Sequence, residues 1–359
     1  MMKSVVRNFI SVDNRRSIRR LINILQAKGI TVASKNKVFT SIYYSIVNGS
    51  FKNEQRAVLS GRVEFNRNKN TVNESSPQLR RNIHRLEKGL IMKTRRDIFG
   101  EAFILETVEL FASAYDSPNW CREEKQWAED ILSMYFKTVG SSEVIDFARN
   151  KYSAIDKAID SENAYVPYQR ANIANKSSIS VDDLRTLFEQ RRSVRWYSEE
   201  AVPEQLINQA IELAKTAPSA CNRQPFEFLV INDPKIAPEV TSIAAGTSGF
   251  SHQVPCLILA VGDLSCYPTE ADKNVIYIDA SLASMQLMLA FETIGLSSCP
   301  INWPVNEANE IKLRSKIALP KHKRVVMMIS VGYADPTSFI AYSSKKSLSV
   351  MKTTLENYK

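Results

Sequence analysis

Residues 191–228 read RRSVRWYSEEAVPEQLINQAIELAKTAPSACNRQPFEF, with a polar, cation-bearing segment at each end of a short amphipathic run. The first segment contains Arg191, Arg192, Ser193 and Arg195. Guanidinium groups and a hydroxyl bind a phosphate or a carbonyl-rich heterocycle through paired hydrogen bonds. The segment therefore predicts a site for an anionic group. Arginines that offset the negative end of a helix dipole are the alternative interpretation.

The second segment, APSACNRQP, supplies short polar side chains and backbone N–H groups directly before a predicted strand. Its candidate binding residues are Pro218, Ser219, Ala220 and Asn222. Neither segment contains an obvious pair of nucleophile and base, so the pattern predicts a cofactor cradle rather than a hydrolytic site. A turn in which the Ser and the Asn cap neighbouring backbone is the alternative.

Helical and strand patterns alternate around these segments. Ser180 and Asp183 predict a capping pair for one helix, and Pro203 predicts the start of the next. Short apolar runs bounded by turn residues predict strands at 226–231, 255–261 and 325–331. Such alternation favours an α/β or α+β arrangement in three layers around a mixed sheet.

Three motifs in the same order resemble the nitroreductase family of flavin enzymes. They are R-R-S-x-R at residues 191–195, A-P-S-x-x-N-x-Q-P at residues 217–225, and a long apolar helix over residues 281–296 that ends in G-L-x-S-x-P. The resemblance covers roughly residues 181–350. It implies an α+β domain of three α/β/α layers, a mixed sheet flanked by helices, preceded by a mostly helical basic N-terminal region.

The same resemblance implies that FMN binds between the two subunits of a homodimer. It places Arg191 at the phosphate and Arg192, Ser193 and Arg195 along the ribityl chain and the pyrimidine edge, where a cation stabilises the negative charge of the reduced flavin. The segment around Ser219 would reach the site of the other subunit. The remaining implied residues are Pro300, Ile301 and Asn302, whose backbone near Ile301 and Asn302 faces flavin N5, and Lys345 and Lys346 at the phosphate. A solvated charged tail is the alternative for the two lysines.

The activity that the resemblance implies is ping-pong hydride transfer from NAD(P)H through flavin N5 to a small organic acceptor. The sequence has no G-x-G-x-x-G motif, but this family generally stacks the nicotinamide on the flavin without one. Two alternatives stay open. One is a specialised flavin oxidoreductase of a biosynthetic pathway, and the other is a non-catalytic protein that binds flavin or another anion.

The length of 359 residues exceeds the usual size of a single core, so two domains are expected. The sequence predicts a basic, mostly helical region of unknown role over residues 1–175 and the nitroreductase-like, FMN-binding domain over residues 176–359. Residues 1–100 contain 21 Lys and Arg against 6 Asp and Glu, a net charge of +15, so the rest of the +9 chain carries −6. The basic region leaves open both an anionic partner and a solvated basic face.

Within the N-terminal region, the spacing of Leu79, Ile83, Leu86 and Leu90 predicts helix, and helical patterns continue over residues 78–160. Residues 38–47 are rich in β-branched and aromatic side chains, which predicts a β-prone patch. Residues 161–180 are polar and irregular, which predicts a linker.

Five cysteines without a C-x-x-C pair predict reduced thiols in a cytoplasmic protein. Neither His252 nor His322 has a carboxylate or a cysteine at ligand spacing, so we expect no metal. Residues 275–296 come nearest to a membrane span, but polar residues interrupt them. They predict a helix buried in the core or at a subunit interface, and no membrane span.

Overall fold

The computed structural model describes residues 12–157, 165–170, 177–304 and 306–355. Its helices, in chain order, are α1 (Val12–Ala33), α2 (Lys37–Ile42), α3 (Lys52–Asn68), α4 (Pro77–Leu90), α5 (Glu101–Ala114), α6 (Arg122–Thr138), α7 (Glu143–Ser153), α8 (Val181–Gln190), α9 (Glu204–Ala214), α10 (Ile236–Thr241), α11 (Val275–Thr293), α12 (Glu307–Lys316) and α13 (Leu348–Met351). The predicted helical character of residues 78–160 is confirmed as far as residue 157, where the described part of this stretch ends. The described parts of the predicted linker are irregular.

Four strands form one sheet. They are β1 (Phe226–Ile231), β2 (Cys256–Asp263), β3 (Ser297–Asn302) and β4 (Lys323–Gly332), in the spatial order β1-β2-β4-β3. Every pair of neighbours is antiparallel. The α+β class is confirmed. The expected mixture of parallel and antiparallel pairing is limited, in the described residues, to an isolated parallel bridge between Ser193 and Ser298.

Strand β2 is buried on both faces, which creates the three layers. Leu257 and Leu259 belong to a core that includes Val240 of α10 and Leu313 of α12. The alternate residue Ile258 belongs to a second core on the opposite face, formed with α9 and α11. Because side chains along a strand alternate between faces, the two cores sandwich the sheet.

Helices α4 to α7 share a core of their own. Leu79, Ile83 and Leu86 are buried at three- and four-residue steps, as the sequence predicts, and they pack with apolar residues of α5, α6 and α7. The chain divides into two compact units, Met1–Arg56 with Val305–Glu307 and the remainder. The predicted boundary at residue 175 lies inside the second unit, and the division of function between the two predicted domains stays a prediction.

The first unit, described by itself, is helical. It contains α1, α2, a π-helix at Tyr43–Val47 and the first turn of α3. The prediction of a β-prone patch at residues 38–47 is wrong. Asn36 caps α2 by accepting a hydrogen bond from the Phe39 N–H at 2.9 Å, and strand propensity is realised only where a neighbouring strand offers pairing.

Two further sequence predictions concern individual helices. The capping box of Ser180 and Asp183 at the start of α8 is confirmed. Among the described residues, one helix, Glu270–Thr293, is long and apolar enough to cross a membrane by length and composition alone, and half of its most apolar window is buried. That helix includes α11, whose inner face lies in the core shared with α9.

Candidate functional site

The arginine-rich segment lies beside strand β3. Arg191 is the C-cap residue of α8, and the chain that follows approaches the sheet. The backbone N–H of Val194 donates to the carbonyl oxygen of Ser298 at 3.2 Å, next to the parallel bridge formed by Ser193. The structure therefore brings together the R-R-S-x-R and G-L-x-S-x-P motifs, which are far apart in the sequence.

The three arginines of this segment have no carboxylate partner. Arg191, Arg192 and Arg195 take part in none of the ion pairs that arginines form in the described part of the chain. The Arg195 guanidinium donates to the carbonyl oxygen of Ser193 at 3.3 Å. Burial raises the pKa of Glu292, and a hydrogen bond with Gln190 and the charge of Arg191 oppose this shift. Glu292 thus lies near Arg191 without forming an ion pair with it, and three arginines in one segment outnumber this carboxylate, which favours an anionic ligand.

Two buried groups accompany the arginines. The Ser298 hydroxyl is buried and has no hydrogen-bond partner within the described residues. Burial raises the pKa of the Cys299 thiol, while Arg195, a hydrogen bond with Ser193 and Arg191 act in the opposite direction. Since buried hydroxyls are normally hydrogen-bonded, a lone one next to the arginine segment fits the polar edge of a negatively charged ligand.

A cavity of about 870 Å³ extends from this segment to the C-terminal tail. Arg192 and Lys345 both line it, together with Leu184 and Phe188 on α8 and with Tyr342. The adjacent Lys346 is exposed and is not part of the lining. Arg185 and Glu189 line it as well, so the cavity combines three cations and one carboxylate with an apolar wall. A net positive lining beside an apolar wall suits a ligand with a phosphate and a flat apolar part.

The segment expected to face flavin N5 is strand β3 itself. Pro300, Ile301 and Asn302 pair with Ile329, Met328 and Met327 of β4. Because β3 is an edge strand, only one side of its backbone pairs with β4. The other side is bridged by Ser193 at Ser298, and beyond that bridge it offers main-chain groups to a ligand. Pro300 has no N–H to pair, which an edge strand tolerates.

The loop over residues 218–224 has an unusual backbone. Cys221, Asn222 and Gln224 have φ values of 55°, 51° and 50°, the left-handed region that residues other than glycine seldom occupy. The Gln224 N–H donates to the Ser219 hydroxyl at 3.1 Å, and the Gln224 amide donates to the Asn222 side chain at 3.1 Å. Local strain of this kind persists where surrounding structure holds it, and it concentrates at ligand sites.

Arg80 of helix α4 holds the loop in place through a hydrogen bond. The Arg80 Nε donates to the carbonyl oxygen of Asn222 at 2.8 Å, and another Arg80 nitrogen pairs with Glu124 at 2.9 Å. Glu124 is buried and also accepts hydrogen bonds from the Ser76 N–H at 3.0 Å and the Trp120 indole at 3.2 Å. A carboxylate with several donors is fixed in place, so it fixes Arg80 and, through Arg80, the loop.

Asp279 of helix α11 holds the same loop through a second hydrogen bond. The Ala220 N–H donates to the Asp279 carboxylate at 3.0 Å, and Asp279 is 3% exposed. Arg223 is also buried, lies over the Tyr267 ring and approaches Asp272 at 3.5 Å. Burial raises the pKa of Asp279, while the hydrogen bond from Ala220 and the charge of Arg223 oppose the shift.

The predicted residues therefore form two clusters. The arginine segment lies at the β3 edge of the sheet, and the loop leads into β1 at the opposite edge. Three inter-strand spacings separate the edges, about 14 Å. In the described part of the protomer, no hydrogen bond or ion pair joins Arg191, Arg192 or Arg195 to Ser219 or Asn222.

Sequence reasoning missed the supports of the loop. Arg80 lies in a helix far from the loop in sequence, and nothing in its neighbourhood signals the contact. Asp279 did carry a signal, because a carboxylate inside an apolar helix needs a buried partner. The described residues contain no group of three or more His, Cys, Asp or Glu side chains that could hold a metal ion.

Comparison with known proteins gives matches over part of the chain. The model of the nitroreductase family matches residues 188–247 and 237–333. Iodotyrosine deiodinase 1 of Pongo abelii is 24% identical over 213 residues, which are 51% of this chain and 73% of that protein. NADH dehydrogenase of Thermus thermophilus is 26% identical over 191 residues, 44% of this chain and 90% of that protein.

Among solved structures, an FMN-dependent nitroreductase from Clostridium difficile R20291 is similar to this chain with a TM-score of 0.41 and 23% identity. The match covers 48% of this chain and 99% of that one. The C-terminal region belongs to the nitroreductase family, and the N-terminal region is additional to it. The family match supports an oxidoreductase.

Proposed function

We propose that this protein is an FMN-dependent oxidoreductase that uses NAD(P)H to reduce a small organic acceptor. The observation that carries the proposal is the group of three unpaired arginines against the open edge of β3, within a nitroreductase-family region. Five unpaired cysteines fit a reducing compartment, so a cytoplasmic location is part of the proposal.

The residues of the β3 edge fit the two ends of FMN. Arg191, Lys345 and Lys346 would hold the phosphate, and Arg192 lines the same cavity as Lys345. Ser193 and Arg195 would meet the ribityl chain and the pyrimidine edge. Bound FMN would supply the group that accepts a hydride from NAD(P)H and passes it to the acceptor.

The chain itself contributes binding and orientation. The main chain of Ile301 and Asn302 would position the reactive edge, since β3 is held in register by β4. The Arg195 cation would stabilise negative charge that develops on the ring. Holding both reactants in a fixed geometry provides most of the acceleration in such a site, which has no assigned acid or base.

We further propose a homodimer in which each site combines the arginine segment of one protomer with the loop of the other. The arginine segment and the loop lie at opposite edges of one sheet, so a single protomer does not bring them together. This separation supports the composite site. Helix α11 also exposes an apolar stripe of Ile278, Leu282 and Met285, at 58%, 45% and 40% exposure. Contiguous exposed apolar surface of this kind marks an interaction site.

Absorption spectra of the purified chain, before and after anaerobic addition of NADH or NADPH, test the proposal. We expect FMN at about one per chain and loss of the flavin band on reduction. An FMN band that neither nicotinamide bleaches would support a non-catalytic flavin protein. A preference for FAD, or no flavin binding at micromolar concentration, would contradict the proposal.

Reductive dehalogenation of an aromatic substrate is a second candidate. The iodotyrosine deiodinases of several mammals match about half of this chain, which favours it. Iodide release from iodotyrosine by the protein reduced with dithionite would support this candidate. Turnover of nitroaromatic or quinone acceptors with NAD(P)H, without iodide release, would favour the first.

A further inference from the structure

The described apolar side chains of the first unit are exposed or half-buried. Among the described side chains before Arg56, none is buried, although the segment is helical over most of its length. Ten large apolar side chains there are exposed, namely Leu21, Ile24, Ile30, Val32, Val38, Phe39, Ile42, Ile46, Val47 and Phe51. Short helices gain most of their stability from packing of an apolar face, so these helices need a surface to pack on.

The exposed apolar residues repeat along the helices. Val38, Ile42 and Ile46 lie four residues apart, which places them one above another on a single face. On α1, Leu21 and Val32 are separated by eleven residues, three helical turns, and share a face in the same way. Val38, Ile42 and Ile46 therefore form a stripe, and Leu21 and Val32 share a face of α1, whereas Ile30 lies on the opposite face of that helix.

The same segment carries a strong positive charge. Residues 1–56 contain 11 Lys and Arg against 2 Asp and Glu, a net charge of +9, which leaves residues 57–359 without net charge. Lys28, Lys35, Lys37 and Lys52 are exposed, and none of them belongs to an ion pair within the described residues. The first unit thus exposes both cations and apolar side chains.

Three kinds of partner can be compared with this surface. A second copy of the segment would bring two charges of +9 together, which repel. A nucleic acid would neutralise the cations, but its phosphates gain nothing from exposed Ile, Val and Leu. An anionic bilayer satisfies both features, because cations meet the headgroups while aliphatic side chains enter the acyl boundary.

We infer that residues 12–56 form a docking surface for anionic phospholipid membranes. The helices lie in the plane of the interface, with Val38, Ile42 and Ile46 directed into the lipid. Lysine stems bury their methylene groups while the ammonium groups reach the phosphates, so Lys28 on α1 is compatible with the inserted face. Binding is reversible and depends on salt, because screening weakens the attraction of the lysines.

Sedimentation of the full-length protein with vesicles tests the inference. We expect it to partition to vesicles of phosphatidylcholine with about one third phosphatidylglycerol, and at least tenfold less to phosphatidylcholine alone. Raising the salt to about 0.5 M should release most of the bound protein. Equal binding to both vesicle types, or none to either, would overturn the inference.

Two sets of substitutions separate the contribution of the lysine charges from that of the apolar side chains. Lys28→Gln/Lys35→Gln/Lys37→Gln should weaken partition to anionic vesicles by about 100-fold. Val38→Ser/Ile42→Ser/Ile46→Ser should weaken it by roughly tenfold or more. The positions are exposed, and circular dichroism will check that helix content is retained.

Matched controls lie in the second unit. Lys235→Gln/Lys312→Gln/Lys316→Gln removes the same charge, and Val144→Ser/Phe147→Ser/Ile311→Ser removes exposed apolar groups. Both controls should bind vesicles as the parent does, and equal losses in controls and test variants would refute a localised surface.

Displacement of the protein from anionic vesicles by equimolar duplex DNA would assign the surface to nucleic acid instead. A salt-insensitive oligomer abolished by the apolar substitutions, with no vesicle binding, would assign it to self-association.

Discussion

Arg191 and Arg195 stand in one segment, yet their replacement should have different effects. Arg191 is assigned to the phosphate of FMN, and loss of a charge-assisted hydrogen bond typically costs about 1.5–3 kcal/mol. We expect Arg191→Ala to weaken FMN binding by roughly ten- to a hundredfold while the midpoint potential barely moves. Arg195→Ala should lower the potential of the bound flavin, because the cation interacts more strongly with the reduced, anionic form.

Redox titration of each variant saturated with FMN measures both quantities. Arg67→Ala, which removes an exposed arginine paired with Glu64 at 2.9 Å, is the control and should change neither quantity. Equal potential shifts in the two site variants, or a shift in Arg191→Ala alone, would show that the two roles are assigned wrongly.

Asp279 permits a prediction with a definite sign. Burial raises the pKa of Asp279 in the folded protein, so ionisation of this carboxyl lowers the stability of the fold. The destabilisation is absent below about pH 4, the ordinary pKa of Asp, and is complete above the folded-state pKa. Asp279→Asn keeps an oxygen to accept from the Ala220 N–H and removes the charge. We expect its Tm to exceed that of the parent at pH 7, by a margin that shrinks as the pH falls towards 4.

Asp233 provides the opposite case. Hydrogen bonds from the Lys235 and Ile236 N–H groups lower the pKa of this exposed carboxylate, so its ionised form stabilises the fold above the ordinary Asp pKa. Asp233→Asn should therefore lower the Tm at pH 7. Thermal unfolding from pH 4 to 8 compares the two, and a fall in Tm for Asp279→Asn at pH 7 would contradict the assignment.

At the level of elements, the contact between α4 and the loop makes a testable link. Arg80 spans Glu124 and the carbonyl oxygen of Asn222 with two nitrogens of one planar group. A lysine keeps the positive charge beside Glu124, but its single ammonium group cannot also donate to the Asn222 carbonyl oxygen. We expect Arg80→Lys to keep most of the stability yet weaken FMN binding roughly tenfold, from loss of a bond worth about 1.5 kcal/mol.

Arg80→Met should in addition destabilise the fold by about 3–5 kcal/mol, since it leaves Glu124 buried without its cation. Lys88→Met, at an exposed position of the same helix, is the control. Urea unfolding and fluorescence titration with FMN separate the two effects. If Arg80→Lys binds FMN as the parent does, α4 does not position the loop.

The sequence predicted those elements whose apolar pattern is local. Strand β1 has the predicted bounds, and the strands around Ile258 and Met328 were found to within a few residues. Strand β3 was not predicted, because Ser, Cys, Pro and Asn carry little strand propensity and the pairing with β4 supplies the stability. The residues at the β3 edge were predicted through motif order, whereas the Arg80 contact depends on tertiary packing that no local pattern records.

For the whole molecule, the apolar stripe of α11 predicts the oligomeric state. Light scattering should give a dimer of about 81 kDa, twice the 40.6 kDa of one chain. Ile278→Asp/Leu282→Asp would bury unpaired carboxylates at the interface, at a cost of several kcal/mol, so the dimer dissociation constant should rise roughly 1000-fold. Ile311→Asp, at 64% exposure on α12, is the control. A monomeric parent that binds FMN stoichiometrically would refute the composite site.

The spatial order β1-β2-β4-β3 has a genetic consequence for a protein with shared sites. Suppose that one subunit carries Arg191→Ala and the other carries Asn222→Ala, each inactive by itself at an FMN concentration too low to load the weakened site. In the mixed dimer both lesions fall in one site, and the other site receives an intact segment from each subunit. Random reassortment makes half of the dimers mixed, so co-expression of two dead alleles should restore about a quarter of the sites. Such interallelic complementation, absent when either allele is expressed alone, cannot arise if each chain builds its site from both edges of its own sheet.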